Sequence, residues 1–474
     1  MSERIPKETM EEMLRQATAG VWQSGGAGRE ALREELRKEI YWKTDLPLIK
    51  KYPDNPILEP ESGTWYDGSV GNPMVAVDPE TGKYVMIFAG WDSQGVGPKQ
   101  FGYAESDDGI VWEVISKTSP VLSPDMTILE QDLEGGCLLY DAVKDVWYLY
   151  YTAIGADDKY RTAVASSEDL INWTKHGIVI DVGGAGEFDE LWAGEPAAFK
   201  FGPHGLIAVV YTARDAAGTL TFGGALLDSW THLATKETPS IKFRGTSDFW
   251  DEKVELHHFS KNGDYWTLLY EGQNNNHRFW KIGIAFSKNN VVYGRAGQPL
   301  ISEEAEWYAG FEWQTWHGTV HPYLVKWRDR NLLYYTEVRK AGAKWWVGNR
   351  ISVAFVDPRA LYPGTYELYW DIWVNETIPV AGSTSYPITT DWPCDTTIFF
   401  FSDQDGTLDI EVDPINISGA SDYRGFDTGL SVSANTLFKY QTSYRYRRLR
   451  LTFTPTAEAT VSAFAITSPR RGWF

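Results

Sequence analysis

Acidic side chains recur at comparable places in four widely separated stretches: Asp67 in TWYDGSVGNP, Asp132 and Glu134 in QDLEGG, Glu195 in WAGEPAAF and Glu255 in DEKVELHHF. Carboxyls brought together from such places can cleave a glycosidic bond. One protonates the leaving oxygen, another activates water or attacks carbon, and neighbours hold their pKa values apart. Each one alone reads equally well as a turn cap or a solvated loop face, because the chain holds 64 Asp and Glu. Trp65, Trp192, Trp313 and Trp316 flank the same stretches and offer flat faces to sugar rings, or to packing. Asn72, Arg214, His257 and His317 are the polar candidates for holding a substrate, and WQTWHGTVHPYLVKW places His317 beside His321.

These residues need a scaffold that brings them to one point, and the repeats supply it. A strongly β-forming run recurs as YVMIFAG, WYLYYTA, IAVVYTA, YWTLLYEG and LLYYTEV, from Tyr84 to Val338. The spacing is about 60 residues, on the long side for a propeller blade. Before each run stands another short strand (NPMVAV, GGCLLY, EPAAFK, VELHHF, VHPYLV), and after each a third, with turn residues such as DPETGK and KNGD between. Three strand types in fixed order predict an all-β fold: a five-bladed β-propeller over 51–363, with the first strand of each blade lining a narrow axis. Residues 1–50 have helical composition, with EALREELRKEI placed for i,i+4 pairing. Beyond Pro363 the repeat stops, and 364–474 alternate apolar with polar residues as a β-sandwich does.

Composition narrows the partners. The 22 Trp and 26 Tyr exceed what packing needs, and a formal charge of -20 disfavours nucleic acid or an anionic membrane. A neutral carbohydrate fits better. Cys137 and Cys394 are the only cysteines, which excludes a disulfide framework and a thiolate metal site. Met1–Gly20 is charged throughout, without the apolar core of a signal peptide, which leaves the localisation open, with a cytoplasmic and a virus-particle-associated protein as the two options. No stretch reaches the roughly 18 apolar residues of a membrane span.

NPILEP, GTWYDGSVGNPMVAVDPETGKYVMIFAG and the turns SDDGIVWE and ASSEDLINWTKHG resemble the five-bladed glycosidases of glycoside hydrolase families 43, 32, 117 and 130, over Tyr52 to Pro363. In families 43 and 32 the first and third blades carry an Asp-Pro and the fourth the acid Glu; here the matching positions read Asn72-Pro73, Glu195-Pro196 and Glu255. An amide cannot act as a base near neutral pH, so Asp67 is the residue left to supply that role. Family 130 carries an Asn-Pro in its first blade, but its second-blade Glu-Asp-Pro-Arg is replaced by Leu133-Glu134-Gly135-Gly136. The resemblance therefore implies a divergent branch. By likeness to family 43, His317 is placed near an axial calcium or water; no cofactor is otherwise required.

The leading expectation is a glycoside hydrolase with Glu255 as general acid, Asp67 activating water and Glu195 orienting the sugar. A Glu255 to Asp67 separation of roughly 6.5 to 9.5 Å would give inversion. A glycoside phosphorylase is the alternative within the same chemistry; its phosphate pocket would draw on Arg161, Arg214, His257, His258 and Arg278. A non-catalytic carbohydrate-binding or viral-appendage propeller is the third reading. A homo-oligomer through the sandwich is expected, because a strand like TIFFFS at an exposed edge would invite pairing.

Overall fold

The computed structural model describes residues 48–93, 97–201, 206–237, 250–274, 277–288, 293–301, 317–327, 330–338, 348–361, 363, 368–385, 387–389, 394–413, 424–442 and 448–469. The chain divides into Met1–Lys50 and Lys51–Phe474. The helices expected before residue 48, together with Trp313 and Trp316, lie outside the described residues, as do the side chains of Arg278 and His317.

Apart from one 3-10 turn at Pro358–Leu361, the regular elements described are strands. The apolar and β-branched runs of the sequence form five antiparallel groups, each running from an inner strand outward. The inner strands are Ser69–Val77, Asp132–Asp141, Trp192–Phe201, Lys253–Asn262 and His317–Trp327. They contact one another in that order, and the fifth returns to the first. Each pairs with a nearly continuous apolar second strand: Tyr84–Trp91, Val146–Ile154, Leu206–Arg214, Tyr265–Asn274 and Arg330–Val338. Burial on both faces explains that composition, since these strands lie between neighbouring sheets. Tyr52–Leu58 closes the ring from the other end of the chain. Tyr52 N and Ile57 N donate to the carbonyls of Val353 and Ile351, and the Asn55 amide both donates to and accepts from the Val353 backbone.

A three-residue latch recurs around the ring. In the second group Tyr151 donates its hydroxyl to Glu130, which also meets Lys175. In the third, Tyr211 donates to Asp189, paired with Lys236 at 2.8 Å. In the fourth, Tyr270 donates to Asp251, paired with Arg295 at 3.0 Å. Each carboxylate sits in the loop before an inner strand, so the latch ties that loop to the second and outermost strands of its own group. Ion pairing and a hydroxyl partner are what make such a buried carboxylate tolerable.

The C-terminal strands form two facing sheets. One runs Leu368–Ile378, Ala459–Pro469, Cys394–Ser402, Phe438–Thr442; the other runs Ser383–Thr384 and Ile388–Thr389 on Arg448–Pro455, then Gly406–Asp413 and Arg424–Val432. Phe400 meets Phe453 across the gap at 4.7 Å, with Ile398, Leu408, Leu451 and Val461 fully buried around them. The first sheet continues into the fourth group through Gly294–Ala296, which pairs with Leu368–Ile378. One expectation is corrected here. The TIFFFS strand has Ala459–Pro469 on one side and Phe438–Thr442 on the other, so it is not an open edge and cannot recruit a second chain by edge pairing.

Candidate functional site

All five inner strands break register at the same depth. The irregularities fall at Asn72-Pro73, Gly135, Glu195-Pro196, His257 and His321-Pro322. A bulge turns a side chain out of the strict in-and-out alternation. Three of these residues adopt the left-handed region, with φ of 50° at Asn72, 49° at Glu195 and 53° at His321. Strain of this kind persists only where the surroundings hold it, and the neighbouring group does so. Asn72 N donates to Thr336 Oγ1 (3.0 Å), Glu195 N to Thr152 Oγ1 (2.7 Å), Leu256 N to Thr212 Oγ1 (2.8 Å) and His321 N to Glu271 Oε2 (2.8 Å). Asn72, Gly135, His257 and His321 then line one small open cleft between the inner strands.

At the centre of the ring His257 bridges two carboxylates. Its Nδ1 lies 3.3 Å from Glu195 Oε2 and its Nε2 3.0 Å from Glu271 Oε2. Both are ion-pair distances without hydrogen-bond alignment, and Glu195 Oε2 and His257 Nε2 are buried without a hydrogen-bond partner. Burial alone would make the imidazole neutral, but the Glu271 charge and the contacts to Glu195 and Glu271 outweigh it and lift its pKa to about 10. Burial raises Glu195; His257 opposes this and the charges of Glu134 and Glu271 add to it, leaving it at about 7. Glu255 stands directly opposite Glu271 in the strand ladder. Burial first, and then that like charge, push it well above the ordinary carboxylate range.

The mouth of the axis carries the remaining charges. Lys99 Nζ pairs with Glu134 at 2.6 Å, and Lys99 N donates to Asp132 Oδ1 at 2.6 Å. Burial raises Asp132, against the pull of Lys99. Trp192 stacks on Tyr160 with centroids 4.3 Å apart, and the Arg214 guanidinium covers both rings at 5.3 and 6.0 Å. Among the described residues no carboxylate lies within ion-pair distance of Arg214, and its Nε is buried without a partner.

The structure thus brings Glu195, Glu255, Glu134, His257, Asn72 and His321 to one place, with Asp132, Trp192 and Arg214 at its rim. Other candidates go elsewhere. The Asp67 carboxylate accepts from Ser93 N (2.7 Å) and Ser93 Oγ (3.2 Å), and the charges acting most on Glu255 are Glu271, His257, Glu195 and Glu134. Trp65 is a packing residue: it stacks on Phe88 at 6.0 Å over Gly90 and Gly102, where an added Cβ would come within 2.9 Å of the indole. Arg161 is spent on Asp157 and Asp181, and burial drives His258 down to about 3, so neither can serve a phosphate pocket at neutral pH.

Glu271 was not among the residues singled out from the sequence, yet a signal exists. The second, third and fifth of the second strands read Tyr151-Thr152, Tyr211-Thr212 and Tyr335-Thr336, the first reads Phe88-Ala89, and the fourth alone places an acid there, as Tyr270-Glu271. Donor atoms of His257, Glu271 and His321, and of Glu134, Glu195 and His321, lie within 4.8 Å of one another. Calcium takes six to eight oxygen ligands, a poor match for a set with two imidazoles. Lys99 meets Glu134 and the His257 imidazole meets Glu195 and Glu271, and we read the cluster as a proton network.

The class of fold is set by comparison with solved structures. A glycosyl hydrolase from Bacteroides ovatus superposes with a TM-score of 0.52 at 20% identity, over 66% of this chain and 94% of that one. The β-1,2-mannobiose phosphorylase from Listeria innocua gives 0.50 at 14% identity, over 66% and 98%. A structure described with the GH130 family of mannoside phosphorylases, and with glycoside hydrolases in it that target β-1,2 mannosidic linkages in Candida mannan, gives 0.51 at 19%, over 66% and 94%. At these identities the likeness is one of fold, and the fold is that of the β-propeller-like glycosidases. In sequence, the 1,2-beta-oligomannan phosphorylase of Thermoanaerobacter sp. (strain X514) is 31% identical over 148 residues, 28% of this chain and 46% of that protein. The chain thus spans about half the length of the curated relative it matches. No family model matches it.

Proposed function

We propose that the five strand groups are the blades of a five-bladed propeller and that the chain is a glycoside-processing enzyme acting on β-1,2-linked mannosides. The observation that carries the chemistry is Glu255 facing Glu271 at the lip of a buried carboxylate–imidazole network. Glu255 keeps its proton at neutral pH and is the general acid: the proton passes to the glycosidic oxygen as the bond from that oxygen to the anomeric carbon breaks. Glu195, ionised beside the His257 cation, supplies negative charge toward the anomeric carbon, where positive charge develops. Trp192 and Tyr160 offer the aromatic wall for a sugar ring.

Phosphate is the acceptor this reading favours. The matched relative is a phosphorylase, and Arg214 holds a guanidinium at the rim with no described carboxylate to neutralise it. Hydrolysis is the second reading. It is supported by the acidity of the site, where Glu134 already neutralises Lys99, and there Glu195 would take the proton of the attacking water in place of Asp67. β-1,2-Mannobiose and longer β-1,2-oligomannosides, incubated with and without inorganic phosphate, separate the two. Phosphorolysis yields mannose 1-phosphate and stops without phosphate; hydrolysis yields mannose in both. Binding of the oligomannosides without turnover in either buffer refutes the enzyme reading in favour of a carbohydrate-binding propeller.

A further inference from the structure

We propose that Glu271 is a positioning residue that acts through His257, keeping that imidazole charged between two carboxylates and thereby fixing which of Glu195 and Glu255 carries a proton. Its register is the first ground. In three of the other four groups the residue at this point of the second strand is Thr152, Thr212 or Thr336, whose hydroxyl accepts the amide of a bulged strand in the next group, and in the first group it is Ala89. Glu271 performs the same service for His321 N at 2.8 Å. A threonine would suffice for that bond, so the carboxylate and its charge are surplus to the structural need.

The second ground is where the surplus charge lies. Glu271, His257 and Glu195 are 3%, 6% and 2% exposed, and a charge so buried is held only by a partner. The 3.0 Å contact from Glu271 Oε2 to His257 Nε2 and the 3.3 Å contact from His257 Nδ1 to Glu195 Oε2 form one line of alternating charge. The groups facing it are Glu255 on the His257 strand, Glu134 from the second inner strand with Lys99 on it, and His321 from the fifth. Burial and the neighbouring His257 charge keep His321 neutral, so it contributes no competing cation. Of the described side chains around His257, Glu271 is therefore the one that pairs with it without belonging to the reacting pair of carboxyls.

The test compares the full-length wild type with Glu271→Thr, which restores the hydroxyl found in three of the other groups, and Glu271→Gln. Proton–carbon NMR of 13C-histidine-labelled protein, with His257 assigned by His257→Gln, follows the ring across pH 5 to 10. In the wild type His257 stays cationic through neutrality; in both variants its midpoint falls by at least about one unit, the effect of removing an opposite charge within ~4–6 Å. A wild-type titration in Glu271→Thr overturns the proposal, as does a His257 signal that moves on adding EDTA, which would assign its charge state to a metal. The companion readout rests on the mannoside reading: the acidic limb of kcat/KM, set by Glu195, shifts to lower pH in Glu271→Thr, because His257 still carries its charge there while the like charge that raises Glu195 is gone. A wild-type limb in that variant shows a structural role only and overturns the proposal. If no mannoside is turned over, that reading fails, while the NMR titration still decides the role of Glu271.

Discussion

Thr152→Val isolates the bond that holds Glu195 in its bulge. The Thr152 hydroxyl accepts Glu195 N at 2.7 Å and donates to Gly135 O at 3.1 Å, and the side chain is fully buried. Valine fills nearly the same volume without the hydroxyl, so packing changes little while two buried backbone groups lose their partner. An unsatisfied buried group costs about 1 to 3 kcal/mol, giving a total of about 2 to 6 kcal/mol for the two here. Unfolding Lys51–Phe474 at about 2.1 cal/mol/K per residue has an entropy of roughly 0.9 kcal/mol/K, so Tm should fall by about 2 to 7 °C in calorimetry. The released Glu195 backbone should also lower kcat/KM at least about tenfold, since 1.4 kcal/mol suffices for that factor. Thr152→Ser keeps the hydroxyl and should lose much less of both. Equal losses in the serine and valine variants, or an unchanged Tm in valine, would refute the claim that the hydroxyl holds the bulge.

Glu255→Gln keeps the shape of the acid and removes its proton, so turnover should fall by about 10² or more while oligomannoside binding by calorimetry persists; near-normal turnover would remove Glu255 from the role. Stability should decline with alkali through two groups whose folded pKa values are raised: Glu195 from about 4.5 to about 7, and His257 from 6.5 to about 10. A raised pKa means the folded state holds the proton more tightly, so the contribution is complete below the unfolded value and lost as pH rises through the folded one. The His257 share is on the order of a few kcal/mol, and a Tm that does not fall between pH 7 and 10, or falls as steeply in His257→Gln, contradicts it. Asp251→Asn strips the charge that meets Arg295 at 3.0 Å and should cost about 3 to 5 kcal/mol in urea unfolding; a loss below about 1 kcal/mol would show the latch to be dispensable. Light scattering on the full chain should report a multiple of 53.6 kDa if the sandwich assembles copies, and a monomer at micromolar concentration ends that expectation.

The fivefold strand repeat was legible in the sequence because strand formation is written locally. Alternating or continuous apolar runs, with DPETGK or KNGD between them, specify a strand and its turn within about ten residues. Glu195, Glu255, Glu134 and His257 were legible for the same reason, since each sits on or beside a recognisable inner strand. Asp67 and Trp65 look like site residues on that criterion too, and their contacts lie elsewhere. One is taken by Ser93 and the other lies flat over glycines, outcomes set by which side chain reaches a neighbour first. Lys99 reaches Glu134 from a loop 35 residues away, and Glu271 meets His321 across 50. Neither pairing follows from any local pattern. Sequence determined which segments are strands and which acids start them; the charge state of those acids depends on register, on five aligned bulges and on burial, and only the closed ring supplies all three.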